Sequence, residues 1–88
     1  MKRILVCEDE DTIRDFVVIN LKRAGYEVHD VNCGEDALKL FVEEKGNFDI
    51  VLLDIMMPGI DGFEFVKTLR DGGNTAPILM ITAKDSFR

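Results

Sequence analysis

Phe48-Asp49-Ile50-Val51-Leu52-Leu53-Asp54 is the stretch on which the fold turns. It is almost wholly apolar, rich in branched side chains, and halted by an acid. Such a run suits a strand buried on both faces, the habit of parallel sheets covered by helices. A strand is therefore predicted up to Asp54. Near the N-terminus Ile4-Leu5-Val6-Cys7 repeats the pattern and stops at Glu8-Asp9-Glu10-Asp11, which predicts a second buried strand ending on acids.

The intervening segments have helical or edge-strand character. From Thr12 to Ala24 the apolar residues Ile13, Phe16, Val17, Leu21 and Ala24 follow helical spacing. Asp11 can cap that helix, and Gly25 suits its left-handed stop. Tyr26 to Val31 alternates loosely and reads as an edge strand. Asn32 or Gly34 opens a second helix with Ala37, Leu38 and Phe41 as its apolar stripe, ended by Gly46-Asn47. Pro58-Gly59-Ile60-Asp61-Gly62 is a loop by its turn chemistry, and Phe63, Val66 and Leu69-Arg70 predict a third helix stopping at Asp71-Gly72-Gly73. Pro77 to Ile81 is a fourth strand, followed by Thr82-Ala83-Lys84. Strands alternating with helices give an α/β fold with a parallel sheet.

The 88 residues form one domain at most, and a chain this short buries too little surface to be more than marginally stable. An apolar content of 47% with 32% charged residues excludes a disordered chain. No apolar run approaches the ~20 residues that span a bilayer, and acids arrive too early for a signal-peptide core, so the chain reads as cytoplasmic with no membrane partner. Seventeen acidic against eleven basic residues give a net charge of −6, which opposes direct nucleic acid binding. The two cysteines, Cys7 and Cys33, form no zinc motif and read as reduced structural thiols. His29 reads as a surface strand residue.

Chemistry is expected where the strands end, because parallel α/β sheets bind ligands at the carboxyl edge. Glu8 and Asp9 end the first strand, Asp54 the third, and Thr82 follows the fourth. If strands one, three and four are neighbours, three carboxylates and a hydroxyl converge. Clustered carboxylates repel unless they take up protons or bind a cation, and oxygen donors of this kind favour magnesium. Any one acid alone would mean little, since loops at strand ends are solvated. Glu10 and Asp11 read as solvated or capping acids.

The runs Ile4-Leu5-Val6-Cys7-Glu8-Asp9-Glu10, Leu52-Leu53-Asp54-Ile55-Met56-Met57-Pro58-Gly59-Ile60-Asp61-Gly62 and Ile81-Thr82-Ala83 resemble the receiver domain of two-component response regulators. The likeness is nearest to the OmpR/PhoB type, whose receivers precede DNA-binding output domains. It covers essentially the whole chain, in order and spacing. The resemblance implies a doubly wound parallel sheet, flavodoxin-like or CheY-like, with the first four βα units present and the last strand and helix missing. It implies a phosphoacceptor at Asp54, and magnesium held by Glu8, Asp9, Asp54 and the backbone carbonyl of Met56. The switch hydroxyl would be Thr82. The donor would be the phosphohistidine of a sensor histidine kinase, and the protein would assist its own phosphorylation and dephosphorylation rather than act as an enzyme. Glu8 stands where the family often has Asp.

The family's invariant lysine lies on a fifth strand beyond this sequence, and Lys84 reads as a loop residue rather than its substitute. An open fourth strand is expected to drive self-association or domain swapping. The alternative reading is accordingly a structural or self-associating fragment without competent switching. Two rivals fit less well. Asp9-Glu10-Asp11-Thr12 resembles the nucleophile loop of haloacid-dehalogenase-type phosphatases, but its threonine comes one residue early. A flavodoxin-like cofactor binder would need hydroxyls and amides after the first strand, where this chain has acids.

Overall fold

The structure, a computed structural model, describes residues 1–54, 62–71 and 78–81, with side-chain surroundings for 1–54 and 64–71. The elements run β1 (Arg3–Cys7), α1 (Asp11–Arg23), β2 (Glu27–Val31), α2 (Gly34–Glu43), β3 (Ile50–Asp54), α3 (Gly62–Asp71) and β4 (Ile78–Ile81). The strands form one parallel sheet in the order β2-β1-β3-β4. The chain thus winds outward from β1 to β2, then crosses back to β3 and continues to β4. This reversal puts a switch point between β1 and β3, the place where an open α/β sheet offers a crevice at its carboxyl edge.

The side-chain period of two distributes each strand between two faces. Leu5 and Cys7 of β1 and Val51 and Leu53 of β3 form one core with Ala37 and Phe41 of α2 and Phe65 and Leu69 of α3. Each such fully buried large side chain stabilises the fold by about 1.5–3 kcal/mol. Ile4 and Val6 are also buried, on the alternate face, where α1 packs against β1 and β2.

That second face is thinly covered. No residue of α1 is fully buried, and Phe16 and Ile19 are 68% and 50% exposed. The expected stripe is corrected accordingly: Ile13, Val17 and Leu21 are half-buried, whereas Phe16 and Ala24 are exposed. The i, i+4 row fits the sheet, and Phe16 lies one residue off it.

Other boundaries differ for local reasons. Asp11 is the first residue of α1 rather than its cap; Glu10 holds the cap position and makes no side-chain cap bond. Gly25 ends the helix with φ +96°, as expected, and its N–H reaches the Lys22 carbonyl at 3.0 Å. After α2 the left-handed pair is Lys45 and Gly46, at φ 55° and 68°, not Gly46 and Asn47.

β3 begins at Ile50 because Phe48 and Asp49 have other partners. The Asp49 N–H donates to the Arg3 carbonyl at 2.8 Å, and Asp49 Oδ2 accepts the Arg3 N–H at 2.8 Å. Phe48 is buried beneath the Arg3 guanidinium, whose carbon lies 5.0 Å from the ring centroid, and stacks on Phe41 at 6.0 Å. Arg3 also bonds Glu27 at 2.8 Å and Glu44 at 2.6 Å, clamping the amino edge of the sheet. His29, a partly exposed residue of β2, joins this network: its Nε2 lies 2.7 Å from Glu27 Oε2, and its ring meets Phe48 edge-on.

Candidate functional site

At the opposite, carboxyl edge the register brings the strand ends level. Cys7 pairs with Val31 on one side and Leu53 on the other, so the residues that follow Cys7 and Leu53, Glu8 and Asp54, are brought to the same level. Glu8 and Asp54 are 1% and 0% exposed, while Asp9 is more open to solvent. One carboxylate oxygen from each of Glu8, Asp9 and Asp54 lies within 4.8 Å of the others. The expected convergence of β1 and β3 acids is therefore present at the switch point.

Thr82 and Met56 lie outside the described residues. The residue before Thr82, Ile81, is the register partner of Asp54 on β4. The loop 55–61 and Lys84 likewise lie outside the described residues.

Several backbone contacts hold the acidic segment. The Glu8 N–H donates to the Val31 carbonyl at 3.1 Å, and the Glu10 N–H donates to Glu8 Oε2 at 2.9 Å. The Arg14 guanidinium donates to the Glu8 carbonyl at 2.9 Å. Sequence reasoning did not single out Arg14; a lone cation in the first turn of an acidic helix start carries no signal of what it reaches.

Electrostatics at this edge are dominated by desolvated negative charge. Burial pushes the Glu8 carboxyl up to about 7, the Glu10 N–H opposes that shift, and the neighbouring Asp54 and Asp9 side chains add to it. Burial likewise pushes the Cys7 thiol up to about 12, with Cys33 and the nearby acids contributing. No disulfide joins Cys7 and Cys33.

Such a site can do one of two things with its charge: retain protons or take up a cation. The donor set is all oxygen, small in span and open on the Asp9 side. It fits a hard divalent ion that keeps part of its water shell. Among the described residues the grouped donors include no sulfur or imidazole for a softer metal, and Cys7 belongs to the core.

Comparison with known proteins points the same way. The family model described as Response regulator receiver domain matches residues 4–88. The alkaline phosphatase synthesis transcriptional regulatory protein PhoP of Bacillus subtilis is 46% identical over 84 residues, which is 96% of this chain and 34% of that protein. The chain thus spans about a third of the length of that relative. Among solved structures, the complex of histidine kinase ThkA with the response regulator TrrA is similar at TM-score 0.83 and 44% identity, covering 100% of this chain and 74% of the matched one. TrrA from Thermotoga maritima in complex with Mg(2+)-BeF gives TM-score 0.84 at 44% identity, over 100% of this chain and 75% of that one.

Proposed function

Because the chain belongs to the response regulator receiver domain family, we propose that it accepts a phosphoryl group on Asp54 from the phosphohistidine of a sensor histidine kinase. The observation that carries this reading is the meeting of Glu8, Asp9 and Asp54 within 4.8 Å at the sheet's switch point. It is supported by a relative seen with a histidine kinase and with magnesium and a fluoroberyllate.

In this reading an Asp54 carboxylate oxygen attacks the phosphorus, the P–N bond to the kinase imidazole breaks, and the imidazole leaves as the neutral ring after taking a proton. Glu8 and Asp9, with the Met56 carbonyl, would hold magnesium beside it. When bound, that ion offsets the repulsion between the carboxylate and the anionic donor and clamps the transferring oxygens. Burial of Asp54 excludes bulk water from the carboxylate. The same water exclusion keeps hydrolysis of the acyl phosphate slow, and the chain, by holding the ion beside Asp54, would assist both its own phosphorylation and that slow hydrolysis without turning over a separate substrate. Thr82, next to the β4 partner of Asp54, would turn toward the phosphoryl oxygens and relay the change.

The reading places the domain over residues 1–88, in the cytoplasm, and in a longer regulator of the transcriptional type. Among the described residues no helix is long and apolar enough to cross a membrane. The test is thermal unfolding with magnesium and fluoroberyllate, a phosphoryl mimic. Together they are expected to raise the midpoint by several degrees beyond magnesium alone, since a ligand at 100 times its Kd adds about 2.7 kcal/mol. Asp54→Asn removes that increment; an increment of equal size in Asp54→Asn contradicts the reading.

A further inference from the structure

Glu8 and Asp9 are joined by one peptide, and the orientation of that peptide sets the backbone positions from which both side chains start. Its carbonyl oxygen, that of Glu8, accepts from Arg14 Nη1 at 2.9 Å. The other nitrogens of the same guanidinium are anchored elsewhere: Nη2 donates to Asp11 Oδ1 at 2.6 Å, and Nε faces Asp30 Oδ2 at 3.3 Å. The Arg14 side chain is only 15% exposed. One planar cation therefore ties the strand-end loop to the start of α1 and to β2.

We propose that Arg14 is a positioning residue of the acidic cluster, fixing the Glu8–Asp9 peptide so that both carboxylates stay in register with Asp54 for a divalent cation. The inference rests on reading that cluster as a cation site. One observation and one argument from side-chain length carry it. First, Glu8 is fixed at its N–H by the Val31 carbonyl and at Oε2 by the Glu10 N–H, so the Arg14 bond completes the restraint on the residue. Second, a glutamate has one more torsion than an aspartate, and a ligand with longer reach depends more on a fixed backbone. Arg14 also borders an open crevice of about 260 Å³ with Asp30, Val31, Asn32 and Asp36. Lysine cannot replace the guanidinium. Its ammonium is a point charge and does not span three partners in a plane.

A purely structural clip between α1 and β2 would change stability but not cation affinity. The experiment is calorimetric titration of the 88-residue chain with magnesium, alongside metal-free thermal unfolding, for the native sequence, Arg14→Lys, Arg14→Gln and Asp30→Asn. Loss of a group that orients a metal ligand weakens affinity roughly 10-fold to 100-fold. Arg14→Lys and Arg14→Gln are expected to show that loss at metal-free midpoints that still report a folded chain. Asp30→Asn, which leaves the bond to Glu8 in place, is expected to keep most of the affinity. Folded Arg14→Lys and Arg14→Gln chains with native magnesium affinity overturn the proposal while leaving the cluster reading intact. A native chain that binds no magnesium at millimolar concentration overturns both.

Discussion

At Glu8 the consequences of one buried carboxyl can be worked through. Its ordinary value is 4.5, and burial raises it to about 7 in the folded chain. The folded state therefore holds a proton that the unfolded state has released. That contribution is fully present below about 4.5 and is lost as pH rises through about 7. Metal-free chain is expected to have a falling unfolding midpoint across this window, and Glu8→Gln to flatten the profile. Magnesium reverses the sign, because it binds the carboxylate form and its stabilisation grows as pH rises. A pH-independent midpoint in the native, metal-free chain contradicts this assignment. The acids themselves were legible because apolar runs stopped abruptly on them, first at Glu8 and then at Asp54. Arg14 was not, because its role depends on a carbonyl six residues earlier that only the turn of the chain brings within reach. The roles of Met56 and Thr82 are what the family resemblance implies, and both residues lie outside the described residues.

Among the elements, β3 and α1 show why pattern alone places strands better than helix faces. A buried strand announces itself by composition, so Ile50–Asp54 was legible apart from the two residues that Arg3 diverts into other bonds. A helix face is decided by what lies beneath it. The spacing admits Phe16 to the stripe of α1, yet the sheet takes the row of Ile13, Val17 and Leu21 and leaves Phe16 outside. Truncation should separate the two phenylalanines. Phe48→Ala, which empties the contact with Phe41 and removes the ring under Arg3, is expected to cost about 3–5 kcal/mol in denaturant unfolding. Phe16→Ala is expected to stay within about 0.5 kcal/mol. Equal losses at both positions would contradict the packing described.

For the molecule as a whole, strand order assembles the acidic cluster. A sheet ordered β2-β1-β3-β4 sets Glu8, Asp9 and Asp54 side by side, although the first two are some 45 residues from the third in sequence. The sequence could offer this only as a condition, that strands one and three be neighbours; the pairing satisfies it. Within the described residues β4 is an edge with an unpaired side, as β2 is on the other flank. The 88-residue chain is therefore expected to self-associate through such an edge, with sedimentation showing mass that rises with concentration. A compact monomer at all concentrations contradicts that expectation. The chemistry at Asp54 is open to a direct measurement: intact mass after incubation with acetyl phosphate, with and without magnesium, on the native chain and on Asp54→Ala. A phosphoryl adduct that requires magnesium and is absent from Asp54→Ala is expected; a folded native chain that gains no adduct, or an adduct that persists in Asp54→Ala, rules out Asp54 as the acceptor.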